Sequence, residues 1–154
     1  MTKSKTVQHE APLVGALLRQ AHQTVREQVL RDVKRAGFED ITAAHLAVFQ
    51  HPAPERMRPI ELARRLGMTK QALNYLLGQL EELGYLIRET DRADERCKRV
   101  RLTPSGHAAT KAIYEIVQEV EDDWEQQLGP RKFAQLRRLL TQLNAITAPS
   151  GDPA

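Results

Sequence analysis

Cysteine occurs once in this chain, at position 97, so no intramolecular disulfide can form, and a reducing cytoplasm is the expected setting. Aromatic residues make up only 5%. No stretch approaches the ~20 apolar residues that a membrane span needs, so no membrane partner is expected. Lys3 and Lys5 precede an apolar run, Ala11–Leu18, but Arg19 interrupts it and no small-residue cleavage site follows, unlike a signal peptide. There is no Gly-rich phosphate loop and no nucleophile motif, which argues against an enzyme. The five histidines (His9, His22, His45, His51, His107) and Cys97 lack the close spacing of a zinc site, so neither metal nor cofactor is expected. Arg96 and Lys98 flank Cys97, an arrangement expected to lower its pKa.

What the chain does have is charge in one place. The formal net charge is +3, yet residues 56–104 hold 11 Lys/Arg against 7 Asp/Glu, and the remainder holds 12 against 13. The whole positive excess lies in one segment, as a phosphate-binding footprint requires.

That segment opens with a short helix, Glu61–Leu66, stopped at Gly67. A second helix starts at Thr69–Lys70 and ends before Gly84. Gly after one helix and Thr before the next mark a tight turn, and the pair reads as helix-turn-helix. Leu73, Leu76, Leu77, Leu80 and Leu83 recur at helical spacing and predict a buried stripe. Gln71, Asn74, Tyr75, Gly78 and Gln79 fall on the opposite side, with Lys70 in the first turn. A solvated face would interleave Lys and Glu; amides with one aromatic suit base edges, since Gln and Asn bond adenine in a bidentate way. Thr69 and Lys70 sit where free N–H groups and the helix dipole attract phosphate. Gly78 in a helix interior suggests close approach by backbone or DNA.

Two β-like runs follow, Tyr85–Thr90 and Lys98–Leu102, around the polar loop Asp91–Arg96. They predict a basic hairpin, with Arg92, Arg96, Lys98, Arg99 and Arg101 set against Asp94 and Glu95. Helix-turn-helix plus basic hairpin is a winged helix. Lys98, Arg99 and Arg101 alternate along a strand, so they cannot all face one surface.

The stretch resembles the MarR family of bacterial transcriptional regulators. The residues that carry the resemblance are Glu61-Leu62-Ala63, Leu66-Gly67, Leu80-Glu81-Glu82-Leu83-Gly84-Tyr85-Leu86, Asp91-Arg92-Ala93-Asp94-Glu95-Arg96 and Leu102-Thr103-Pro104-Ser105-Gly106. The resemblance implies that Asp94 holds the Arg96 guanidinium while Arg96 enters the minor groove; Arg92 stands where the family often has Pro, and its expected role as a second wing contact does not come from the family pattern. The expected DNA-binding set is therefore Thr69, Lys70, Gln71, Asn74, Tyr75, Gln79, Arg92, Asp94, Arg96 and Lys98.

Outside this segment, residues 12–36 predict a long amphipathic helix, about 40 Å at ~1.5 Å per residue. Residues 41–50 predict a short helix with Thr42 as N-cap, and 51–59 a loop whose Pro59 opens the next helix. Helices over 104–128 and 131–146 follow, broken by Gly129-Pro130. The tails, 1–11 and 147–154, read as flexible. The expected fold is thus mainly α with a small β-wing: a winged helix over 40–103, with 12–36 and 104–146 as a helical dimerisation region. The apolar faces of the terminal helices imply a partner, most simply a second copy about a two-fold axis.

The expected function is a homodimeric, sequence-specific repressor on a palindromic operator in double-stranded DNA. The resemblance further implies release by a small aromatic or phenolic effector, with Arg19, His22, Arg26, His45 and Trp124 as candidate contacts. The alternatives are an architectural, non-sequence-specific DNA binder and a redox- or metal-responsive variant of the same family.

Overall fold

A computed structural model describes residues 11–49 and 53–147. The outer parts of the two tails, together with Gln50, His51 and Pro52, lie outside the described residues, and with them the expectations placed there. Among the described residues six helices and one hairpin follow in order: α1 Val14–Arg35, α2 Ala43–Phe49, α3 Pro59–Leu66, α4 Lys70–Glu82, β1 Leu86–Asp91, β2 Asp94–Leu102, α5 Pro104–Leu128 and α6 Pro130–Thr147. They fall into two compact units divided after Tyr114, within α5. Among the described residues no helix is long and apolar enough to cross a membrane, and no cluster of His, Cys, Asp and Glu could hold a metal ion.

The first unit owes its core to the leucine stripe. Leu73, Leu76, Leu77 and Leu80 of α4 are all buried, alongside Leu62 and Ala63 of α3, Leu46, Val48 and Phe49 of α2, and Leu86, Val100 and Leu102 of the hairpin. Each such Leu, Val or Phe side chain contributes on the order of 2 kcal/mol by leaving water. Leu83, expected to continue the stripe, is 39% exposed. It is the C-cap of α4, and the chain turns away at Gly84, whose φ of 80° suits glycine.

The helix starts are built as the sequence suggests. Thr69 caps α4, its hydroxyl accepting from the Ala72 N–H at 3.1 Å. Pro59 opens α3, and Gly67 closes it with φ 63°. Thr42 caps α2 by accepting from the His45 N–H at 3.4 Å, while the Thr42 N–H donates to His45 Nδ1 at 3.2 Å. This is a reciprocal capping box with imidazole in place of the usual Glu or Gln.

The hairpin differs from expectation. β2 begins at Asp94, not Lys98, so the polar loop shrinks to a turn at Arg92-Ala93. Asp91 pairs with Asp94 and Thr90 with Lys98, which leaves Glu95, Arg96 and Cys97 unopposed as a bulge. Behind the wing, a Cβ on Gly106 would overlap the Tyr85 carbonyl oxygen, so the Leu-Thr-Pro-x-Gly pattern ends on the residue that lets α5 lie against the start of the hairpin. Thr103 joins the same corner: its hydroxyl accepts from the Gly106 N–H and donates to the Gly84 carbonyl.

In the second unit Phe133 and Val120 are buried, and Arg137 pairs with Glu121 at 2.6 Å. Leu136, Leu139 and Ile146 of α6 are exposed. In the first unit, only Val29 and Val33 of α1 are fully buried, and Leu13, Val14, Leu17 and Leu18 are exposed.

Candidate nucleic-acid interface

Helix α4 carries its leucines into the core, and this fixes its opposite face outward. Lys70, Gln71 and Tyr75 are exposed, with Tyr75 at 68%, while Asn74 and Gln79 are half-buried. The wing presents Arg92, Arg96 and Lys98 to solvent. Lys70 and Asn74 of α4 line one cleft of about 590 Å³ with Arg96, Cys97 and Lys98 of β2, and Arg58, Pro59 and Ile60 line it too. The helix face and the wing therefore share a surface. The Arg96 guanidinium makes no hydrogen bond or ion pair among the described residues.

The bulge explains how Arg96 is presented. Asp94 was expected to hold the Arg96 guanidinium; instead its Oδ1 accepts from the Arg96 backbone N–H at 3.1 Å, and its Oδ2 accepts from the Cys97 thiol at 3.2 Å. The acid shapes the backbone of the bulge and leaves the guanidinium free, because a residue two positions on in a tight turn offers its N–H before its side chain. The thiol bond and the Arg96 N–H hold the Asp94 carboxyl below its ordinary range. The same bond, with burial, pushes the Cys97 thiol up, opposite to the lowering expected from its cationic neighbours.

Asp91 anchors the wing. It is 5% exposed and accepts from the Ala93 N–H at 3.0 Å, Arg99 Nε at 2.6 Å and Arg58 Nη2 at 3.2 Å. The Ala93 N–H, then the two guanidiniums, hold its carboxyl below the usual carboxylate range. Arg99 also donates to the Arg56 carbonyl, and Val100 exchanges backbone bonds with Arg56 and Met57, so the segment before α3 is laced to β2. Glu81 of α4 accepts from the Arg88 side chain at 2.6 and 2.9 Å and from its backbone N–H at 2.9 Å, which ties α4 to β1. Arg101 pairs with Glu89, and Lys98 donates to Thr90. Of the three alternating basic residues, only Lys98 lines the cleft.

These anchoring roles escaped the sequence reading, which took Asp91 as part of the family's wing pattern and Arg99 and Arg58 as charge. No spacing signalled them: the three-residue bulge sets Arg99 opposite Glu89, and this brings its guanidinium within reach of Asp91.

Gln79 was expected on the DNA face. Its amide is engaged instead, to His45 Nε2 at 3.0 Å and to the Tyr75 hydroxyl at 3.2 Å. His45, expected as an effector contact, is 3% exposed and has both ring nitrogens occupied. Arg19, His22 and Arg26 are exposed on α1, and Trp124 is half-buried on α5 in the second unit. Nothing lies within 4 Å of a Cβ built on Gly78, so protein packing is not what requires glycine there.

Comparison with known proteins agrees with this construction. Residues 40–96 match the family model described as MarR family. The chain is 30% identical over 96 residues to YkoM of Bacillus subtilis (strain 168), an uncharacterized HTH-type transcriptional regulator. The match covers 62% of this chain and about three fifths (61%) of that protein's length. Among solved structures, the apo form of E. coli MarR aligns over 87% of this chain and 98% of its own, at 25% identity and a TM-score of 0.68. S. aureus MepR, solved with DNA, aligns over 88% and 98%, at 22% identity and a TM-score of 0.70. The segment that builds α2, α3, α4 and the wing as far as Arg96 thus resembles the MarR family, and the chain shares its fold with E. coli MarR.

Proposed function

We propose that this protein is a homodimeric, sequence-specific DNA-binding transcriptional regulator, a repressor released by a small aromatic or phenolic effector. The observation that carries the DNA-binding part is the single cleft lined by Lys70 and Asn74 from α4 and by Arg96 and Lys98 from the wing. Gln71, Asn74 and Tyr75 enter the major groove. Thr69 and Lys70 meet phosphate at the helix N-terminus, and Arg96, with Arg92 beside it, reaches the adjacent minor groove, whose negative potential is greatest where A·T-rich sequence narrows it. The DNA-bound structure of MepR supports this use of the fold.

The exposed apolar residues of α1 and, separately, of α6 support a second copy as their cover. An effector contacting Arg19, His22, Arg26 or Trp124 would act by favouring a dimer whose two recognition helices no longer match successive grooves.

A gel shift on the DNA upstream of the protein's own gene, run over a salt series, tests the reading. The expected result is a preference over random DNA and an affinity that falls steeply with salt. Equal affinity for random DNA, or indifference to salt, contradicts it.

A further inference from the structure

Three side chains join buried α2 to the exposed face of α4. The Thr42 N–H points at His45 Nδ1, which must therefore be bare, so the ring proton sits on Nε2. That proton is donated to Gln79 Oε1, 3.0 Å away. With its oxygen committed to His45, the Gln79 amide can turn only its NH₂ toward Tyr75, and it donates to the Tyr75 hydroxyl oxygen at 3.2 Å. The hydroxyl already receives a hydrogen bond, and its own hydrogen is left to point outward from a ring that is 68% exposed.

We infer that His45 and Gln79 are positioning residues that make Tyr75 an oriented hydrogen-bond donor on the DNA face. The inference rests on the DNA-binding reading above and adds to it what Tyr75 recognises. Its target is an acceptor: purine N7, guanine O6 or thymine O4 in the major groove, or a phosphate oxygen. The amino edges of cytosine and adenine, which are donors, are not matched. Because the donor is aimed from a buried imidazole rather than by its own rotation, less freedom is lost on binding than for an untethered hydroxyl.

The test uses the full chain and duplexes enriched by the wild-type protein from a random-sequence pool. Tyr75→Phe, at an exposed site, is expected to fold normally by circular dichroism and to bind the enriched duplex about tenfold more weakly. Gln79→Met is expected to weaken binding in the same direction, and Tyr75→Phe with Gln79→Met to bind no more weakly than Tyr75→Phe alone, since both remove one device. Repeating the selection with Tyr75→Phe separates the two acceptors: loss of preference at one base position means a base edge, and uniform weakening means a phosphate.

Undiminished binding by Tyr75→Phe overturns the inference, as does an additive double variant, which would mean that Gln79 acts independently of the hydroxyl. If Gln79→Met does not fold, Gln79→Ala replaces it in the same cycle, and undiminished binding by Tyr75→Phe still overturns the inference. Failure of the wild-type protein to enrich any sequence overturns the DNA-binding reading itself.

Discussion

At the scale of single residues, the α4 face separates side chains left exposed from one whose amide is held by neighbours. Tyr75, Gln71 and Lys70 are exposed, whereas Gln79 spends its amide on His45 and Tyr75. Gly78 lies on the same face with open space where a Cβ would go. In an ordinary helix interior, glycine is less favourable than alanine by about 1 kcal/mol. Gly78→Ala is therefore expected to raise unfolding stability by about 1 kcal/mol in a denaturant titration. If DNA backbone passes close to this position, the same variant loses affinity while gaining stability. A drop in stability would show that the helix needs glycine for its own packing, against the structure.

At the scale of elements, the wing is held by carboxylates whose ionised forms are the bonded ones. Asp91 accepts from the Ala93 N–H, Arg99 and Arg58, and Glu81 accepts from Arg88; both carboxyls lie below their ordinary values of 3.8 and 4.5. A depressed folded pKa gives stability that is present above the unfolded value and lost as pH falls through the folded one. Hydrogen-exchange protection of the β1–β2 amides is therefore expected to persist from neutral pH down to the ordinary carboxylate range and to collapse below pH 3.8. Asp91→Asn is expected to show reduced protection already at pH 7. Protection unchanged at low pH would mean that the pairs do not hold the wing. The helices were legible in sequence because their periodicity, glycines and caps are local signals. The wing was legible as a hairpin, but its two-residue turn and three-residue bulge were not. They depend on Asp91 meeting Arg58, 33 positions away, and on which atom Asp94 chooses, and no local pattern encodes either.

At the scale of the whole molecule, the basic segment read from composition coincides with the surface where α4 and the wing meet, so the charge bias and the fold point to one ligand. The candidate site was readable to the extent that exposure followed from the leucine stripe, as for Lys70, Gln71 and Tyr75. It was not readable where a side chain had a tertiary partner, as for Gln79 and His45. The central claim is that α4 reads the major groove while Arg96 occupies the neighbouring minor groove, in a two-fold pair. Hydroxyl-radical footprinting of an enriched duplex, with wild-type protein and with Arg96→Ala, tests it most directly. The account predicts two related protected tracts, centred about one helical turn (~34 Å) apart, flanked by minor-groove protections that vanish selectively in Arg96→Ala. A single continuous footprint, or flanking protection that survives the loss of Arg96, would contradict it.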